Sequence, residues 1–392
     1  MKKNSRKYIS KTIGISIASV VLGVGLWANS ALANSFVLQD AEKTPTPAIE
    51  GEKKKEKDPN KKAKLNKLFR DKAPLTVSLH LPLKNIRSRR MGEMGELPAK
   101  LILNDEEGNP QTFDIKVELR GITRQSKDTC TFPPIKLNFK RGAVKKTVFA
   151  KQNKLKLVTY CNKSGRFQPL YMKEYLIYQI YNMLTDYSFQ TRLLDITYLD
   201  EKGGGKAIQR VGFVIEDVDD VAARNAMVAV DIDKVPSKSL DAKTANLDGI
   251  FQFFIGNLDW SMRSAALGKD CCHNGKLLQN ADGSGAYYPV PYDFDYAGLV
   301  NAPYAVPPDG MGVRKVTQRH YRGYCSHDSF NAENLALFKE KREEISQLIT
   351  GFDLLPERDR RKTMAFVDKF YDILNDPKKL NKQIINKCVG RR

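Results

Sequence analysis

Residues 75–81 alternate apolar and polar positions with period two, and residues 112–119 do the same. Each pattern suits a strand with one face buried. Between them Lys100-Leu-Ile-Leu runs into Glu106-Glu-Gly-Asn-Pro110, a hairpin signal, and Pro134-Ile-Lys-Leu-Asn-Phe139 reads as a further strand. The period then changes. Leu176, Ile177, Ile180, Tyr181 and Leu184 fall at helical spacing, which predicts a helix over about 170–185. Two more strands are predicted at 192–199 and 209–216. Farther on, Leu247, Ile250, Phe251, Phe254, Ile255 and Leu258 form a wide helical stripe. A short hairpin follows, with arms 275–279 and 286–292 around Asn280-Ala-Asp-Gly-Ser-Gly285. Helical patterns near 332–349, 357–375 and 377–387 close the chain.

This order, a five-strand sheet with one inserted helix and then a helical half, predicts an α+β, two-lobed protein-kinase-like fold. The β-rich N-lobe would occupy residues 75–217, and the mainly helical C-lobe residues 218–392.

The first 33 residues change the picture of location. Lys2, Lys3, Arg6, Lys7 and Lys11 precede a charge-free, mostly apolar run from Thr12 to Trp27, and Ala31-Leu-Ala33 is a small-x-small cleavage pattern. That is the layout of a secretory signal peptide and predicts export to a periplasmic or extracellular space. No later stretch is long and apolar enough for a transmembrane span in the mature chain.

The chain of 392 residues carries 65 Lys+Arg against 45 Asp+Glu, a formal charge of +20, of which the signal holds five. With 41% hydrophobic and 28% charged residues it is neither collagen-like, wholly disordered nor a multi-span membrane protein. Residues 42–72 hold ten Lys, one Arg and six acids among three prolines, so residues 34–74 read as a basic, disordered linker. The excess charge suggests an acidic surface as partner, and no motif points to a specific nucleic acid. Six cysteines follow the signal, an even number that favours disulfides in an exported protein. Cys130 with Cys161 is the first pairing expected, and Cys271 or Cys272 with Cys325 the second.

Candidate chemistry sits after the second helix. Phosphoryl transfer needs an Asp near the acceptor, an Asn and a second Asp on a divalent metal, and a Lys on the phosphates. Asp259 follows the helix, Asn274 opens the hairpin and Asp293 closes it, with Asp295 two residues on. Asp259 is thus the catalytic candidate, and Asn274, Asp293 and Asp295 are the Mg²⁺ or Mn²⁺ candidates. Lys136 is the phosphate lysine and Glu174 its ion-pair partner. His273 has no carboxylate beside it in sequence and reads as structural. Ser-His-Asp chemistry lacks a Gly-x-Ser-x-Gly elbow.

At these residues the chain resembles the CotH kinase family, the spore-coat-protein-H type of atypical secreted kinase. The likeness runs through Leu119-Arg-Gly-Ile-Thr123, Pro134-Ile-Lys-Leu137, Lys154-Leu-Lys-Leu157, Tyr171-Met-Lys-Glu-Tyr175, Gly212-Phe-Val-Ile-Glu216, Gly256-Asn-Leu-Asp259 and Pro291-Tyr-Asp-Phe-Asp295. The resemblance implies Mg²⁺- or Mn²⁺-dependent transfer of a phosphoryl group from ATP to a protein or envelope-polymer acceptor. It implies the catalytic role for Asp259 and the metal role for Asp293, and its segments add Arg120 and Glu216 as cofactor-binding candidates. Two rivals stand beside it. One is a catalytically silent module that binds an acidic envelope partner; the other is a metal-dependent hydrolase using Asp293 and Asp295 together.

Overall fold

The period-two segments do form strands, but they close on themselves. A computed structural model describes residues 61–390 apart from 89–94, 106, 122, 163 and 266–270. The signal sequence and residues 34–60 of the expected linker lie outside the described residues. Seven strands, β1 (Leu75–Leu81), β2 (Leu97–Asn104), β3 (Pro110–Leu119), β4 (Ile135–Phe139), β5 (Lys154–Val158), β6 (Thr191–Asp200) and β7 (Ile208–Ile215), make a closed barrel in the order β1-β2-β3-β4-β5-β7-β6. All neighbours are antiparallel except β1 and β6, which run parallel from Leu75↔Leu194 to Leu81↔Asp200.

That one parallel pairing overturns the two-lobed kinase-like expectation. The expected N-lobe requires an open sheet, whereas here β1 is bonded on both sides, to β2 and to β6. Closure leaves the sheet no free edge. The interior is filled by the apolar half of each alternation, including Leu79, Leu101, Val117, Leu137, Leu157, Ile196 and Tyr198. These belong to one continuous core with the helices, and the described residues form a single compact unit.

The helices are α1 (Lys67–Arg70), α2 (Leu83–Ser88), α3 (Gln168–Leu184), α4 (Val218–Arg224), α5 (Ala242–Ile255), α6 (Asn331–Glu340), α7 (Arg342–Thr350), α8 (Glu357–Leu374) and α9 (Pro377–Gln383). The end of the expected linker is ordered, since Leu68 and Phe69 of α1 are fully buried. The predicted helix at 332–349 is two helices that meet at Lys341. A second sheet, β8 (Met227–Val230), β9 (Gly275–Asn280) and β10 (Tyr288–Pro291), contains the predicted hairpin.

Cys130 bonds Cys161 as expected, but Cys325 bonds Cys388, and Cys271 bonds Cys272. The reason lies in the chain's end, where Val389 donates to Gly323 and accepts from Cys325, laying Cys388 beside its partner. Among the described residues no helix is long and apolar enough to cross a membrane.

Candidate functional site

Helix α5 begins with Asp241 accepting from the Thr244 amide and ends at Gly256, whose φ of 66° is left-handed. A Cβ there would lie 3.0 Å from Phe366, so glycine suits the turn on both counts. The buried Asn257 then holds the next residues: its side chain donates to Gln252 and accepts from the Asp259 amide. Arg322 donates to the Leu258 and Trp260 carbonyls on either side. Asp259 is therefore fixed by its neighbours on both flanks.

Two strands of chain are laced to this loop. The Ser261 amide donates to His273 and the Tyr292 amide to Asn274, so 259, 273–274 and 292–293 lie side by side. Asp259 Oδ1 lies 2.6 Å from His273 Nε2, and Asn274 Nδ2 donates to Asp259 Oδ2 at 3.0 Å. The Asp259 hydrogen bond raises the His273 pKa against the opposing effect of burial. The carboxylate that His273 lacks in sequence thus comes from fourteen residues earlier, and the imidazole is placed to accept or give a proton. Asn274 is engaged by Asp259.

Asp293 and Asn274 both have positive φ, 62° and 50°, in the region that Asp and Asn tolerate best among residues other than glycine. The Asp293 amide donates to the Tyr178 hydroxyl, and its carboxylate lies 3.9 Å from Arg120. Asp295 is buried and accepts from the Tyr304 hydroxyl at 3.0 Å. Burial and the nearby Asp293 push its pKa up.

Glu174 on α3 completes the acidic group. It is 1% exposed, and neither carboxylate oxygen has a hydrogen-bond partner among the described residues. Burial first, then Asp295 and Asp293, drive its pKa up. With Arg124, Tyr171, Asp295 and Tyr304 it borders a cavity of about 10 Å³, the size of one water or a bare ion.

The expected Lys136–Glu174 ion pair is absent. Lys136 instead bonds Glu118 at 2.8 Å on the outer face of the barrel, because directly opposed residues of β3 and β4 share a face. The lysine that does reach the site is Lys156, its neighbour on β5. Lys156 Nζ lies 4.1 Å from the Tyr292 ring centre. Burial, then Arg120, lowers its pKa to about 8. The alternation of Lys154-Leu-Lys-Leu157 was its sequence signal, since period two marks a strand whose lysines point away from the core.

Glu216 stands apart from this group. It accepts from the Gln190 amide and pairs with Arg224 at 3.2 Å, which makes it a clamp between β7 and α4. The cysteines offer no thiolate, since all six are in disulfides; the sulfurs beside Asp328 belong to Cys325–Cys388.

The site is thus a small cleft bordered by Arg124, Glu174 and Asp295, with Arg120, Lys156 and Asp293 within electrostatic reach and the Asp259–His273–Asn274 network near Asp293. The cations suit phosphate oxygens, and the carboxylates suit a hard cation. No family model matches the chain, and no curated protein matches it.

Proposed function

We propose that this cleft binds a nucleotide phosphate with Mg²⁺ or Mn²⁺ and transfers a phosphoryl group from ATP to a protein or envelope-polymer acceptor outside the cytoplasm. The observation that carries the reading is the unpartnered, fully buried Glu174 beside Asp293 and Asp295. Asp295 and Asp293 raise the pKa of Glu174, Asp293 raises that of Asp295, and a cation among the three would relieve that.

The donor set fits such an ion, because oxygens alone are offered and two of them are orphaned. Asp293, Asp295 and Glu174 would hold it, and its contribution would be to offset the charge of the phosphates. Lys156 and Arg120 would orient the phosphates from the barrel side. His273, held by Asp259, would take the acceptor's proton. Asn274 would keep Asp259 turned toward the imidazole rather than ligate metal. Three disulfides and the N-terminal signal pattern support an exported setting.

The experiment is thermal unfolding of the signal-free chain with and without Mn²⁺ and ATP, run beside Asp293→Ala. Ligand at a hundredfold its dissociation constant stabilises by about 2.7 kcal/mol. A rise in Tm that the variant loses is the expected result; equal curves for the two proteins would remove the proposal.

A second reading, the silent binding module, is favoured by the small size of the cavity at Glu174, which is far below that of a nucleotide. In that case an anionic partner would raise Tm without added metal.

A further inference from the structure

The connection between β4 and β5 is strongly basic. Lys140, Arg141, Lys145, Lys146 and Lys151 are all exposed, and no acid occurs from 140 to 154. None of the five pairs with a carboxylate among the described residues. This segment is built rather than loose. Val144 and Phe149 are buried, Phe149 stacks on Phe139 at 5.0 Å, and backbone bonds from Ala143, Thr147, Ala150 and Gln152 close successive turns.

A second basic stretch lies against it. Asp220 Oδ2 accepts from Asn66 and from Gln152, each at 3.3 Å, which ties the start of the described chain to the end of the loop. Lys61, Lys62 and Lys64, all exposed, therefore extend the same surface. The acids facing it come from the start of α4. Asp217 caps that helix, Asp220 is spent on the two amides, and Asp219 lies within electrostatic reach of Arg141.

We propose that this face is a docking surface for an anionic lipid bilayer. Seven of its eight cations are lysines, which act as point charges rather than as bidentate clamps for single phosphates. Its aromatic residues, Phe139 and Phe149, are buried, so it offers no platform on which bases or sugar rings could stack. It also presents no large apolar side chain for insertion, so adsorption is electrostatic and sensitive to salt. This inference does not depend on the reading of the cleft.

The test is co-sedimentation of the signal-free chain with vesicles of phosphatidylcholine alone or with about 30 mol% phosphatidylglycerol. Binding to the anionic vesicles at about 0.1 M salt and release at about 0.5 M are expected. Each neutralised charge should weaken binding about fivefold, so Arg141→Gln with Lys145→Gln and Lys146→Gln should cost about a hundredfold. A control with Lys362→Gln, Lys369→Gln and Lys378→Gln, exposed on the C-terminal helices, should stay within about threefold of the parent. Matching melting curves would show that the triple variants are folded. Equal binding to neutral vesicles, or a loop variant that binds like the parent, would overturn the proposal. Retention on a soluble polyanion without vesicle binding would overturn it too, in favour of a polymer partner.

Discussion

Glu216 and Glu174 are both buried, at 2% and 1% exposure, and their surroundings are opposite. Glu216 ends β7 against Arg224 and the Gln190 amide, so its charge is paired and its oxygens are occupied. Glu174 lies in α3 with no partner for either oxygen and two aspartates nearby. A carboxylate that closes a corner is satisfied by the fold itself. One that waits in a cleft raises the free energy of the fold until something else satisfies it. Buried acids are therefore sorted by their partners, not by their depth.

The comparison breaks first at Glu216. Glu216→Gln leaves the largely buried Arg224 without a counter-charge, and loss of one member of a buried pair costs about 3–5 kcal/mol. Urea unfolding at neutral pH should show it. A loss under about 1 kcal/mol would mean that the corner is no more satisfied than the cleft.

Glu174→Gln should act in the other direction, by about 2 kcal/mol where the parent is ionised, because it removes a buried, uncompensated charge. Its size depends on pH. The folded-state pKa of Glu174 is raised, so folding favours the protonated form. That contribution is fully present below the unfolded value of 4.5 and is lost as pH rises through the folded value. The variant should equal the parent near pH 4 and exceed it near pH 9. Unfolding curves that coincide at both pH values would place an unseen partner on Glu174.

Lys156 sharpens the same contrast from the basic side. Its pKa is depressed to about 8, so the charged form is disfavoured on folding. Lys156→Met, which keeps the stem over Tyr292, should stabilise the metal-free protein by about 1 kcal/mol at pH 6. It should also weaken the Mn²⁺ and ATP response of the parent. Stabilisation without that weakening would leave Lys156 a packing residue.

How far the sequence carried these distinctions follows from what each pattern encodes. Period-two alternation placed β1 at its observed bounds and β3, β6 and β7 within two residues, because each strand buries one face. It did not reveal closure, since an alternating strand reads the same at an edge as between two neighbours; β1 gains its second partner, β6, more than a hundred residues later. The proximity of Asp259, Asn274 and Asp293 was legible because a helix end and the two ends of a hairpin are tight connections that bring polar residues together. The Lys136–Glu174 pair failed on register, as Glu118 lies directly opposite Lys136. The Asp259 partner of His273 was not legible, because it arrives through the Ser261–His273 bridge, a contact with no local signature.

The smallest effect tests that last contact. Asp259 raises the pKa of His273, so the pair contributes most below the ordinary histidine value of 6.5. It is lost as pH climbs through the raised value. Both side chains are partly exposed, so solvent screens the pair and the effect on stability is small. The titration itself is the better readout. In Asp259→Asn the imidazole loses its partner anion while burial, which outranks the remaining pull of Asp293, still acts together with Arg322, so its midpoint should drop to or below 6.5. The chain has only four histidines, and a His273→Gln spectrum identifies the resonance. A midpoint that stays where it is in the parent would mean that Asp259 does not govern the imidazole. The proton-accepting role would then pass from His273 to Asp259 itself.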